Sequence, residues 1–225
     1  MTSSFDLSAN PTHVARRVRA DGKFLRLLLL GLIGDLALLA NPIDSISDSN
    51  LTVHMFQHIG LFACSIVFGY GLDRYLASNL DHLKARFRLG WSILIQMIKF
   101  NVKTRGLILG AVLPAFVLSY WHFPSNFDLA EVNATVHIME HLSYIIVGSI
   151  VGMSIMAMTP RIRLGVLYVA LMNAGMMGSM MLVWPSFYPA YSASQNITMD
   201  TALMLFGALG LVAMSANLLK TLDIL

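Results

Sequence analysis

The sequence predicts an all-α membrane protein, a polytopic bundle of six transmembrane helices with one further amphipathic helix at the cytoplasmic interface. Three observations lead there. Only 12% of the 225 residues are charged and 56% are apolar, whereas a soluble domain carries about 25% charged residues. Apolar runs recur at the length a bilayer core demands of a helix, roughly 20 residues. Every Lys and Arg lies on one side of the membrane when those runs are laid across it. The same apolar excess excludes a disordered chain, and the single Cys64 excludes a disulfide framework or a cysteine-cluster metal site.

Taken in order, residues 1–23 are expected to form a cytoplasmic N-terminal tail and 24–225 a single six-helix domain. The first span, 24–40, follows the tail without a small-residue cleavage site, so it reads as an anchor rather than a signal peptide. The second covers 51–72. The third, 106–121, is the shortest and contains Pro114. The remaining spans are 134–158, 164–184 and 201–219. Between the second and third, Leu89, Trp91, Leu94, Ile95, Ile98 and Val102 alternate with basic residues at near-helical spacing. Such a helix lies in the interface with its cations toward lipid headgroups.

The charges orient this bundle. Arg16, Arg17, Arg19, Lys23 and Arg26 precede or open the first span, and Arg74, Lys84, Arg86, Arg88, Lys99, Lys103 and Arg105 separate the second from the third. Arg161 and Arg163 separate the fourth from the fifth, and Lys220 closes the sixth. These are all 15 basic residues of the chain. The positive-inside rule then puts both termini in the cytoplasm. The opposite loops hold Asp44, Asp48, Asp128, Glu131 and Asp200 and no basic residue. A net charge of +3 distributed in this way reports topology, and no nucleic-acid partner is expected.

One motif occurs twice. Asn50-Leu-Thr-Val-His-Met-Phe-Gln-His58 opens the second span, and Asn133-Ala-Thr-Val-His-Ile-Met-Glu-His141 opens the fourth, 83 residues later. A Gly follows eleven residues after the second His in each, at Gly69 and Gly152. One span intervenes, so the two helices run parallel with their histidines at one depth. Residues at i and i+4 share a helix face. His54 and His58 can therefore present both imidazoles to one point, as can His137 and His141. Imidazole suits copper, zinc, iron and nickel, and first-row affinities peak at copper. Asp35, Gln57, Glu140, Met180 and Asp200 are expected near the same depth as auxiliary or supporting groups, since ligating imidazoles normally donate their other N–H to a carboxylate. The competing reading makes the histidines interhelical hydrogen-bond partners. At the Asn-x-Thr starts, the hydroxyls of Thr52, Thr135 and Thr198 are expected to cap helices. No phosphate loop, nucleophile elbow or zinc-protease signature is present.

At the paired histidines His54, His58, His137 and His141 the chain resembles the CtaG-type membrane proteins. It also resembles small archaeal membrane proteins that accompany copper membrane monooxygenases such as ammonia monooxygenase. The resemblance implies a role in assembly or copper supply of a copper-dependent membrane oxidoreductase, with larger membrane subunits as partners. It equally allows a structural accessory subunit of such a complex. Neither role makes the chain catalytic on its own. A haem b subunit is a third reading, in which one His of each i, i+4 pair is surplus; zinc and haem b rank behind copper.

Overall fold

The computed structural model describes residues 11–84 and 88–221, with side chains for 22–77 and 96–217. Among these residues the chain is helical, without a strand. The helices are α1 (Pro11–Leu38), α2 (Ile43–Ser47), α3 (Leu51–Lys84), α4 (Arg88–Lys103), α5 (Leu113–Trp121), α6 (Pro124–Val132), α7 (Ala134–Ser154), α8 (Pro160–Val183) and α9 (Ala193–Thr221). A π-helical turn, Ile108–Val112, leads into α5, and a 3₁₀ turn, Ile155–Ala157, extends α7.

Proline marks several starts, standing within the first two positions of α5, α6 and α8, where its missing N–H is no loss. Thr159 caps α8 by accepting from Ile162 N at 3.3 Å. The Asn-x-Thr starts use a different atom from the one expected. Asn50 Oδ1 accepts from Val53 N at 3.1 Å, and Asn133 Oδ1 accepts from Thr135 N and Val136 N at 3.0 and 3.2 Å. The asparagine amide, one bond longer than a hydroxyl, reaches the free N–H groups from the cap position itself. Thr198 lies inside α9 and donates to Ser194 O, while Ser192 Oγ accepts from Gln195 N.

Two groups of helices form the bundle. α3 packs between α1 and α7, and α8 pairs with α9, which also touches α3. Small residues set the closest approach. A Cβ on Gly69 would lie 2.0 Å from Ser149 O, and one on Gly152 would lie 2.1 Å from Ile66 O. Ile66 and Ser149 are themselves separated by 83 residues, the spacing of the repeat. The α3–α7 contact is therefore self-complementary, each glycine seated on the same backbone position of the other helix. Each of these helices is preceded by a short helix and, before it, an apolar one, giving α1–α2–α3 and α5–α6–α7.

Among the described residues, four helices are long and apolar enough to cross a membrane: Leu51–Ala77, Ala134–Ala157, Pro160–Val183 and Ala193–Asn217. A fifth is reached if Gln96–Lys103 and Ile108–Trp121 count together, although they meet at a bend of 93°. At that bend Arg105 and Gly106 have φ of 51° and 72°. Gly106 is required twice over, by its φ and because a Cβ would lie 2.9 Å from Ser154 O. The first expected span falls in α1. The expected interfacial residues Leu89, Trp91, Leu94 and Ile95 lie outside the described side chains, as do residues 1–10 of the tail; Ile98 and Val102 are described and exposed.

Candidate metal centre

The repeated asparagines place the histidines. In both motifs the first His donates its backbone N–H to the Asn carbonyl, His54 to Asn50 at 3.0 Å and His137 to Asn133 at 2.9 Å. Each imidazole pair therefore enters its helix at the same turn, and the glycine contact deeper in the bundle turns the two pairs toward each other. Ring centroids of His54 and His58 are 4.3 Å apart, as are those of His137 and His141. Across the helices the separations are 5.6 Å for His54–His137, 6.2 Å for His54–His141 and 5.2 Å for His58–His141.

Within this cluster two sets of three groups could hold a metal ion. His54, His58 and His141 are all buried, with ligand atoms within 4.8 Å of one another, and Asp44, His137 and His141 meet the same distance. Nitrogens around a bound zinc-sized ion at about 2.0–2.1 Å stand about 3.3 Å apart, so small side-chain rotations would close either set. The hydrogen-bond alternative fares poorly on atoms. His54 Nε2, both nitrogens of His58, His137 Nε2 and His141 Nε2 are buried without a hydrogen-bond partner, and so are both Glu140 oxygens. Each such group costs about 1–3 kcal/mol when left unsatisfied. A cation bound among them would offset those costs together.

Two supporting groups come from the short helices α2 and α6, which lie in segments that the sequence assigns to loops. Glu131 of α6 brings Oε1 to 3.0 Å from His54 Nδ1, and the Tyr191 hydroxyl stands 3.3 Å from the same nitrogen while donating to Ser47 O at 3.1 Å. With Nδ1 held on that side, His54 leaves Nε2 for a metal. Burial pushes the Glu131 carboxyl up to about 7, and the nearby Asp48 and Asp128 carboxylates add to the rise. Asp44 of α2 lies 4.0 Å from His137 Nε2. The pairing is crosswise, each short helix serving the first His of the other repeat. A sequence signal existed, since an acidic residue shortly precedes both Asn-x-Thr motifs.

The auxiliary residues divide. Glu140, wholly buried, has Oε1 at 3.7 Å from His58 Nε2, beside the cluster as expected. Gln57 occupies the Glu140 position of the other repeat but serves a different end, donating to Leu38 O at 2.8 Å and to Asp44 Oδ1 at 3.2 Å. Asp35 belongs elsewhere: it accepts from Ser65 Oγ at 2.9 Å, because α1 meets α3 below the histidine turns. Met180 is 51% exposed, the α8 face that packs inward being that of Met181, which is fully buried. Asp200 is buried where Gly178 lets α8 and α9 close together. Tyr144 and Phe127 fill the flanks of the cluster, at 4.5 Å from the His58 ring and 5.0 Å from the His54 ring. A porphyrin plane would have to displace them.

The family model of DUF1404, described as a protein of unknown function, matches residues 30–223, and the chain belongs to that family. No curated protein and no solved structure matches it.

Proposed function

We propose that this DUF1404 member is an integral membrane protein that binds a metal ion, copper, through its paired histidines and serves assembly or copper supply of a copper-dependent membrane oxidoreductase. The observation that carries the reading is the set of three buried imidazoles, His54, His58 and His141, whose ligand atoms lie within 4.8 Å and whose Nε2 atoms have no protein partner. Neutral nitrogen ligands favour copper over the other first-row ions at equilibrium. A cavity of about 160 Å³ lies between Asp73, Asn101, Leu109 and Met153, away from the histidines. The cluster itself is packed by Phe127 and Tyr144, which suits holding an ion better than admitting a substrate.

The membrane arrangement belongs to the same proposal. Six spans place the cluster near the outer leaflet and both termini in the cytoplasm, as the one-sided distribution of basic residues supports. α1 supplies the first span, packed along α3. α4 lies on the cytoplasmic surface, and the 93° bend turns the chain from the interface into a short third span.

A second reading, a structural accessory subunit of a copper membrane monooxygenase complex, is favoured by one observation. α8 and α9 leave large apolar residues exposed, among them Leu167, Val183, Leu209 and Val212. They would contact lipid or a larger membrane subunit.

Copper analysis of the protein purified in detergent and loaded with copper tests the proposal. Wild type should retain about one ion per chain, and His141→Ala, which lacks the ligand common to both sets, should retain none while keeping the helical content of wild type. Wild-type protein free of bound copper would overturn it. Co-purification with large membrane subunits separates the second reading from the first.

A further inference from the structure

The two sets of ligands differ in a way that suggests a direction. The buried set, His54, His58 and His141, contains no charged group. The other, Asp44, His137 and His141, has side chains 40% exposed at Asp44 and 15% exposed at His137. Both sets contain His141, which is buried. Resting on the metal-binding reading, we propose that Asp44, His137 and His141 form an entry site for a divalent first-row cation, which then passes to the buried histidines by ligand exchange on His141.

The chemistry suits an entry point. A hydrated divalent ion loses water at a cost, and an anionic carboxylate at the protein surface offsets that cost better than neutral imidazole does. Asp44 is held for this role by the Gln57 amide, which donates to its Oδ1 at 3.2 Å. The 4.0 Å gap from that oxygen to His137 Nε2 is too long for a hydrogen bond and can be closed by an ion between them. His137 Nε2 and His141 Nε2, both buried, have no other partner. From there the move is short. The His54 ring lies 5.6 Å from that of His137, and the His58 ring 5.2 Å from that of His141. An ion that keeps His141 while exchanging Asp44 and His137 for His54 and His58 is never bare. Glu131 and Glu140 stand beside His54 and His58 on the inner side of the cluster. No bond to carbon changes and no electron is transferred.

Full-length protein in nanodiscs, mixed with Cu²⁺, tests this through loading rate and electron paramagnetic resonance. Wild type should fill the inner site to about one equivalent with a nitrogen-rich signal. Asp44→Asn, which keeps size and hydrogen bonding, should reach the same final signal more than about ten-fold more slowly, the low end of what altering a metal's supporting groups costs. His58→Ala should leave the ion at the outer site, with a signal of fewer nitrogens. Loading of Asp44→Asn at the wild-type rate overturns the entry site while leaving the buried site standing. No Cu²⁺ signal in wild type overturns both.

Discussion

His58 has neither ring nitrogen hydrogen-bonded although it is only 3% exposed, and that single side chain separates a ligand from a structural histidine. A histidine that held helices together through hydrogen bonds would cost about 1–3 kcal/mol on replacement by an apolar residue. A ligand histidine in the metal-free state behaves in the opposite way, because an unsatisfied buried polar group is removed. His58→Leu should therefore leave the thermal midpoint of the metal-free protein unchanged or higher, while reducing the rise that metal gives wild type. Thermal unfolding with and without chelator reads both. Glu131 acts through His54 rather than on the ion. Glu131→Gln should weaken metal binding by about 10–100-fold, the range found for supporting partners of ligands, as measured by competition with a chelator of known affinity.

Helix packing brings the histidines together, and glycine makes that packing possible. Alanine at Gly69 or Gly152 would put a methyl 2.0–2.1 Å from a facing carbonyl oxygen, and overpacking of this kind costs about 1–3 kcal/mol or more. Gly69→Ala should lower both the thermal midpoint and the metal affinity, because it pries α3 from α7. Gly165→Ala, at a position with nothing within 4 Å of the added methyl, should change neither. At this scale much was legible in advance. The repeated Asn-x-Thr-Val-His-x₃-His motif announced two parallel helices and four facing imidazoles, because a helix turns strings of residues into faces. The short α2 and α6 were not legible: five and nine residues are too few for periodicity to stand out from loop. Their carboxylates, Asp44 and Glu131, were missed as neighbours of the histidines for that reason. Asp35 and Met180 were misplaced because depth along a helix does not report which neighbour its face meets.

For the whole molecule, apolar composition and one-sided charge made the membrane reading available from sequence, while the sharp bend after α4 depended on Arg105 and Gly106 adopting positive φ, which spacing does not reveal. Six spans with cytoplasmic ends predict that cysteines placed at Ser49, Ser125 and Ser192, all exposed, react with an impermeant thiol reagent from outside intact cells, in a Cys64→Ser background. Reaction only after the cytoplasmic face is opened would reverse the orientation. The central claim is the metal among the histidines, and anomalous scattering from crystals of copper-loaded protein tests it most directly. The account predicts a copper peak within bonding distance, about 2.0 Å, of nitrogens from His54, His58 and His141. A metal-soaked structure with those three rings well ordered and no peak between them would contradict it.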